Sequence, residues 1–285
     1  MRLFRSLAVA AATALALALP GATTASAATA GSPAQPTYYV SFGDSLSQGY
    51  QPGLGDTSQG YVDDVYAALK LTHPKLQLVK LGCSGETTVT MINGGKCSYG
   101  SFASQLAAGE DFLSRHQGQV AYLTLNIGGN DVNACAAGGT VDMACVPAAL
   151  QTVGTNLTGI LQRLRAAAGT STPVSAGMGT HDPLLAAWLS GPSGQTLARQ
   201  SVQLVGTFNS LEQQVYQAAG FRWADANAVW NTDDFDHSLP VPGYGTLPLN
   251  VAEICLFTTM CTANDLHPNP VGYGLIAAAF LKVMG

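Results

Sequence analysis

The sequence predicts an α/β fold, a three-layer α/β/α sandwich built on about five parallel strands. Short apolar runs rich in β-branched residues alternate with helical segments of ten or more residues. Strands joined in this way need right-handed helical crossovers, which make the strands parallel. No internal repeat and no second apolar core is visible, so residues 28–285 are predicted to form a single domain.

Residues 1–27 are predicted to be a secretory signal peptide that is not part of the fold. Arg2 and Arg5 precede an apolar stretch from Leu7 to Leu19, and the small residues at 25–27 match a cleavage site. A membrane anchor is the alternative, but it needs about 20 apolar residues. We therefore expect a secreted, extracellular protein. Its remaining 258 residues are enough for one core.

The predicted elements follow a regular order along the chain. The strands lie at residues 38–42, 76–81, 120–127, 173–178 and 221–224. The longer helices lie at residues 61–71, 102–115, 147–168, 195–219 and 270–283. Residues from 225 to Cys255 are predicted to be loops, because Pro and Asp recur among them.

Composition argues against a nucleic acid partner. Only 10% of the residues are charged, and the net charge of −5 becomes −7 when Arg2 and Arg5 are removed. Phosphate binding needs a basic patch, and the sequence contains none. Neither metal-ligand spacing nor a Gly-rich phosphate loop is present, so we expect no metal and no cofactor.

The six cysteines are predicted to form three disulfides. An even number of cysteines behind a signal peptide favours disulfides over metal or redox chemistry. Each predicted pair encloses one polar, Gly-rich or Thr-rich loop: Cys83–Cys97, Cys135–Cys145 and Cys255–Cys261. The bridges either hold catalytic loops in place or stabilise a secreted chain in general.

Polar and small residues follow the predicted strands where the ends of parallel strands share one edge of the sheet. Ser45 follows the first strand, Asn130 follows the third, and His267 precedes the last helix. A nucleophile, a base and donors for an oxyanion are what acyl transfer requires. The alternative for Asp44 and Ser45 is that they cap the next helix.

Four blocks in the chain resemble, in order, those of the GDSL or SGNH hydrolases. They are Gly43-Asp44-Ser45-Leu46, Ser84-Gly85-Glu86-Thr87, Gly128-Gly129-Asn130-Asp131 and His267-Pro268. The resemblance implies a flavodoxin-like α/β/α fold and hydrolysis of esters, including lipids, phospholipids and acetylated sugars. We expect a lipase or esterase that acts as a monomer on small-molecule or lipid esters without stable membrane insertion.

The resemblance also implies the roles of individual residues. Ser45 is expected to be the nucleophile and His267 its general base. Gly85 is expected to donate its backbone N–H to the oxyanion, and Asn130 its side-chain amide. The N–H of Ser45 would be a third donor.

The chain departs from the family at the residue that orients the base. The family has Asp three residues before the histidine, but this sequence has Asn264 there and Asp265 next to it. A backbone carbonyl near these residues, the Asn264 amide or the Asp265 carboxylate could each hold the imidazole in the required tautomer. We favour the backbone carbonyl, which gives a Ser–His dyad.

Other interpretations remain open from the sequence. Ser84 is a rival nucleophile, and His237 and His181 are rival bases. Residues 182–194 either contact an acyl chain or begin a helix. The protein could be a carbohydrate O-acetylesterase, or an inactive binding module that retains the fold.

Overall fold

The computed structural model describes residues 37–139, 141–171 and 173–285. The predicted signal peptide at 1–27 lies outside these residues. The parallel strands are β1 (Thr37–Gly43), β2 (Leu76–Lys80), β3 (Val120–Asn126), β4 (Val174–Met178) and β5 (Arg222–Ala224). They form one five-stranded sheet in the order β2-β1-β3-β4-β5, the flavodoxin-like order, whose switch point lies between β1 and β3.

Helices connect and cover the strands. The α-helices are α1 (Ser45–Gln48), α2 (Tyr61–Thr72), α3 (Thr88–Asn93), α4 (Gln105–Arg115), α5 (Gly129–Asn133), α6 (Val146–Ala168), α7 (Pro192–Ala218), α8 (Ala226–Val229), α9 (Leu249–Phe257), α10 (Met260–Ala263) and α11 (Pro270–Met284). Two 3-10 helices span Ala134–Gly139 and Pro183–Ser190. The five long predicted helices correspond to α2, α4, α6, α7 and α11.

Two apolar cores, one on each face of the sheet, confirm the three-layer sandwich. Successive strand residues point to opposite faces, so Tyr39 belongs to one core and its neighbour Val40 to the other. The first core includes α2 and α11, where Tyr61 stacks on Phe280 with ring centroids 4.7 Å apart. The second core includes α4 and α6.

The prediction of loops from residue 225 to Cys255 is wrong. Strands β6 (Ser238–Val241) and β7 (Gly245–Pro248) form an antiparallel hairpin, and α9 follows directly. Pro240 and Pro248 hide the strands because proline is depleted in sheets. Helix α9 is apolar on nearly all sides, so it shows no helical periodicity.

The carboxyl ends of β1, β2 and β3 lie side by side and bring three chain segments together. Gly43 at the end of β1 is in register with Asn126 at the end of β3. The residues that follow these strands include Ser45, Gly85 and Asn130. The topology therefore assembles one site from segments far apart in sequence.

The structure joins the three predicted cysteine pairs. The Cα–Cα distances are 6.1 Å for Cys83–Cys97, 5.6 Å for Cys135–Cys145 and 5.0 Å for Cys255–Cys261. Within the described ranges, no helix has both the length and the apolar character needed to cross a bilayer.

Candidate active site

Ser45 begins helix α1, directly after a tight turn that leaves β1. Gly43 has φ of 137°, and a Cβ there would lie 2.3 Å from the carbonyl oxygen of Asn126, so only glycine fits. Asp44 caps α1 by accepting the Leu46 N–H at 2.9 Å. The helix-cap interpretation therefore holds for Asp44, and the cap places Ser45 in the first turn.

The carboxylate of Asp44 is held by a buried polar chain. Asn126 Nδ2 donates to Asp44 Oδ1 at 2.7 Å, and Asn126 Oδ1 accepts the Tyr61 hydroxyl at 2.7 Å. Burial raises the pKa of Asp44 to about 6. Asp44, Asn126 and Tyr61 are all hydrogen-bonded in this series, so the turn that carries Ser45 is anchored to β3 and α2.

His267 reaches Ser45 from the loop between α10 and α11. Its Nε2 lies 2.8 Å from Ser45 Oγ, and its Nδ1 lies 2.7 Å from Asp265 Oδ1. An ionised carboxylate can only accept, so Nδ1 carries the proton of the neutral ring and Nε2 accepts from the serine hydroxyl. The three side chains form a continuous hydrogen-bonded chain.

The partner of the imidazole differs from the favoured expectation of a backbone carbonyl. The Asp265 carboxylate occupies that position, and the same Oδ1 accepts the backbone N–H of His267 at 2.9 Å. Asn264 has φ of 52° and ends α10 in the left-handed region, which turns the chain before Asp265. An Asp two residues before the histidine can thus fold back onto the ring, as Asx side chains do in tight turns.

Two aromatic residues support the loop of His267. The Tyr50 ring lies 4.5 Å from the imidazole, centroid to centroid. His181 is fully buried, stacks on Trp230 at 4.8 Å, and places its Nε2 2.8 Å from the carbonyl oxygen of Leu266. Burial lowers the pKa of His181 to about 4, so the neutral ring donates this hydrogen bond. His181 thus holds the loop and is too buried to act as a base.

The candidate oxyanion donors lie in the turns that follow β2 and β3. Gly85 has φ of 79° in the turn after β2, and a Cβ there would crowd the Lys96 side chain at 2.7 Å. Asn130 Nδ2 donates one hydrogen to the carbonyl oxygen of Glu86 at 2.8 Å, which leaves its second hydrogen for a ligand. This hydrogen bond ties Asn130 to the residue that follows Gly85.

A buried layer beneath the site connects the strand ends. Gln105 Oε1 accepts the Gly43 N–H at 2.7 Å, and its Nε2 donates to the Gly43 carbonyl at 2.9 Å and to Glu86 Oε2 at 3.1 Å. Asp131 accepts both the backbone N–H and the hydroxyl of Thr88, at 2.8 and 2.6 Å. Burial raises the pKa of Asp131. These contacts hold the turns of Ser45, Gly85 and Asn130 at fixed separations.

A cavity of about 770 Å³ opens beside Asn130. Helix α5, the 3-10 helix Pro183–Ser190 and helix α7 contribute most of its walls. The Cys135–Cys145 bridge closes the segment that contributes Ala136 and Val141. Pro183 and Leu184 belong to the segment 182–194, for which contact with an acyl chain was one of two expectations.

The structure separates the rival residues from Ser45 and His267. The Ser84 hydroxyl donates to Asp56. His237 pairs with Asp234 at 2.8 Å on the surface, where its side chain is 80% exposed. Within the described part of the chain, no three His, Cys, Asp or Glu side chains are grouped so that they could hold a metal ion.

Sequence reasoning missed Gln105 and Asn126, the two amides that hold the turn of Ser45. Asn126 lies one residue before the end of the third predicted strand, 120–127, and a polar residue near the end of a buried apolar strand is a signal of such a role. Gln105 gave no comparable signal, because a glutamine near the start of a helix is ordinary.

Comparisons with known proteins agree with this architecture. The family described as GDSL-like lipase/acylhydrolase matches residues 41–275. Similar solved structures include the lipase Lip_vut3 from a goat rumen metagenome (18% identity, 87% of this chain and 97% of that one, TM-score 0.59). Others are phospholipase A1 from Streptomyces albidoflavus (18%, 88% and 100%, 0.54) and an acetyl xylan esterase from Geobacillus stearothermophilus (15%, 87% and 94%, 0.50).

These identities establish a common fold, and the family match covers most of the sequence. No match to a curated protein sequence is found. On the strength of the match over residues 41–275, the chain belongs to the GDSL-like lipase/acylhydrolase family.

Proposed function

We propose that the protein is a serine hydrolase of carboxylic esters, with Ser45 as nucleophile and His267 as general base. The observation that carries the proposal is the chain from Ser45 Oγ to His267 Nε2 at 2.8 Å and from His267 Nδ1 to Asp265 Oδ1 at 2.7 Å. A serine hydroxyl becomes a strong nucleophile only when a base takes its proton, and this geometry supplies the base and its orienting group.

The reaction proceeds in two steps, acylation of Ser45 and hydrolysis of the acyl-enzyme. Ser45 Oγ attacks the ester carbonyl carbon while its proton moves to His267 Nε2, and the carbonyl oxygen becomes an oxyanion. Donors from Ser45, Gly85 and Asn130 stabilise that oxygen. The intermediate collapses to an acyl-serine as the imidazolium protonates the departing alcohol. Water then attacks the acyl group as one of its protons moves to His267 Nε2, and the imidazolium returns that proton to Ser45 Oγ as the acid is released.

The Asp265 carboxylate acts through the ring of His267. It holds the Nδ1–H tautomer and faces the positive charge that the imidazole gains in each step. The side chain of Asp265 is 27% exposed and that of His267 15%, so the pair is partly screened from solvent. We propose a Ser–His–Asp triad in place of the dyad favoured from sequence.

The mature enzyme is proposed to be secreted, to begin after residue 27 and to act as a monomeric single domain. The three disulfides support secretion, because such bonds persist mainly in oxidising compartments. Mass spectrometry of protein exported by a secreting host tests it: the expected N-terminus is Ala28, and retention of the full chain in the cell contradicts it.

Covalent labelling tests the catalytic proposal against a binding module of the same fold. A p-nitrophenyl phosphonate is expected to release one equivalent of nitrophenol and to modify Ser45, as located by peptide mass spectrometry. Ser45→Ala should lose the label, whereas the matched control Ser84→Ala should retain it. A folded native protein that takes no label, or takes it at Ser84, contradicts the proposal.

A further inference from the structure

Tyr50 is held beside the candidate catalytic groups by both of its backbone polar groups. Its N–H donates to the carbonyl oxygen of Ser45 at 3.1 Å, and its own carbonyl oxygen accepts the hydroxyl of Tyr273 at 2.8 Å. Gly49 makes the turn between α1 and Tyr50 with φ of 66°, and a Cβ there would lie 2.7 Å from Gly60 Cα. Helix α11 and the turn of the proposed nucleophile therefore fix this tyrosine from two sides.

The ring of Tyr50 lies against the imidazole of His267. Their centroids are 4.5 Å apart, at the short end of the range of about 4.5–7 Å in which aromatic rings are in contact, and their planes meet at 49°. This distance is too short for two coplanar rings placed edge to edge. Tyr50 is half-buried and the side chain of His267 is 15% exposed, so the contact is partly shielded from water.

The contact has a chemical consequence because the imidazole changes charge during the proposed reaction. His267 is neutral before each step and positively charged while it holds the proton of the serine or of the water. The face of a tyrosine ring is negative, and it attracts a cation that lies within about 6 Å of the ring centroid. An interaction that strengthens as the charge forms lowers the barrier, whereas one of constant strength does not.

Other ionisable groups around the imidazole come from several elements. Asp265 binds Nδ1 from the same loop, and His181, after β4, is neutral because burial lowers its pKa to about 4. Burial raises the pKa of Asp44, at the start of α1, to about 6, and the pKa of Tyr273 on α11 well above its ordinary value. Asp56, in the loop that carries the tyrosine, lies near Tyr273. Because Asp44 titrates near neutral pH, protonation of the imidazole has to be followed at the ring itself.

We propose that Tyr50 is a positioning residue of the reaction, whose ring face holds His267 beside Ser45 and stabilises the positive charge that the imidazole gains. This inference rests on the proposed ester hydrolysis. Loss of the ring is expected to lower kcat about fivefold, the equivalent of about 1 kcal/mol for a partly exposed cation on an aromatic face. KM should change little, because the charge is absent from the bound ground state.

Fluorinated phenylalanines at position 50 test the proposal, because each fluorine weakens the negative face of the ring with little change of shape. NMR of the ring carbons of His267, assigned with His267→Gln, measures the proton affinity of the imidazole directly. Tyr50→Phe should leave this affinity nearly unchanged. Fluoro-, difluoro- and trifluorophenylalanine should lower it in that order, by about fivefold in all, and kcat with a p-nitrophenyl ester should fall in the same order.

Two leucine variants separate the ring face from packing. Tyr50→Leu removes the face, and Tyr244→Leu is the matched control, because this exposed tyrosine supports α10 through a hydrogen bond from its hydroxyl to the carbonyl oxygen of Cys261 at 2.6 Å. The control should keep the native proton affinity of His267. Equal affinities across the fluorinated series, with kcat lost only in Tyr50→Leu, would show that the ring only fills space and would overturn the proposal. A rise along the series would also overturn it, because the positive ring edge would then meet the imidazole.

The NMR measurement separates failure of this inference from failure of the proposed reaction. It needs no turnover, so a graded loss of proton affinity supports the role of the ring face even in a protein that hydrolyses no ester. Ester hydrolysis in which neither kcat nor proton affinity responds to fluorination rejects the role of Tyr50 and leaves the proposed reaction intact.

Discussion

Replacing Asp265 by Ala is expected to lower kcat by two to three orders of magnitude while the protein remains folded. The carboxylate accepts both the ring Nδ1–H and the backbone N–H of His267 through one oxygen. Its loss frees the ring to adopt the wrong tautomer and removes the negative charge that faces the imidazolium in the transition state.

The magnitude follows from the geometry of the pair. With Nδ1 and Oδ1 2.7 Å apart, the centres of the two charged groups are about 4 Å apart. In surroundings of effective dielectric constant near 20, two unit charges at that distance attract by about 4 kcal/mol, or about three powers of ten in rate. Partial exposure of both side chains, 27% and 15%, reduces this and sets the lower limit near two powers of ten.

Steady-state kinetics with a p-nitrophenyl ester, checked by circular dichroism and thermal unfolding, measure the effect. Asn264→Ala is the matched comparison, because this exposed neighbour occupies the left-handed position, whereas the hydrogen bonds of the imidazole go to Asp265 and Ser45. This variant should lose less than about tenfold in kcat. It should also lose about 1 kcal/mol of stability, because Ala is strained in the left-handed conformation. Asp265→Ala within tenfold of native kcat, with the fold intact, would refute the triad and restore the dyad.

Other outcomes follow from the same structure. Asn130→Ala should lose about 10²–10³ in kcat with little change in KM, since the amide acts on the oxyanion; a loss confined to KM would contradict that role. The pKa of His181 is about 4 in the folded protein and near 6.5 in the unfolded chain. The neutral ring therefore adds about 3 kcal/mol to the free energy of unfolding above pH 6.5, and this stability is lost as the pH falls through 4. His181→Phe should therefore lose less Tm than the native protein between pH 7 and pH 4; an equal loss would contradict the assignment. Replacing Cys135 and Cys145 by Ala should cost about 2–3 kcal/mol of stability and also lower kcat/KM, because the bridge closes the segment that forms one wall of the cavity beside Asn130. A lower Tm with an unchanged kcat/KM would show general stabilisation only.

The fold was predictable because its strands and helices carry strong local signals. Strands β1 and β3 are almost fully buried, and their continuous apolar runs are typical of parallel strands covered on both faces. The hairpin of β6 and β7 was not predictable from the sequence, because its four-residue strands contain proline. Helix α9 was missed because it is buried on nearly all sides and so lacks an amphipathic pattern.

The residues of the candidate site also differ in how clearly the sequence indicates them. Ser45, Gly85, Asn130 and His267 lie in short motifs directly after strands or before a helix, where sequence order predicts their edge of the sheet. The partner of the imidazole had a weaker signal. Asn264 adopts the left-handed conformation, with φ of 52°, before Asp265, and Asn tolerates that conformation without requiring it, so the residue type alone does not fix the turn.

The buried polar residues beneath the site explain how turns from three strands keep a fixed geometry. A reacting constellation must be held within about half an ångström, but turns at strand ends are mobile unless they are anchored. Here Asn126 holds the turn of Ser45, Gln105 joins that turn to Glu86, and Glu86 in turn accepts the amide of Asn130. Because the amides of Asn126 and Gln105 each bind two segments at once, a displacement of one turn must strain another. The turns that carry Ser45, Gly85 and Asn130, the proposed nucleophile and oxyanion donors, are therefore positioned as a unit.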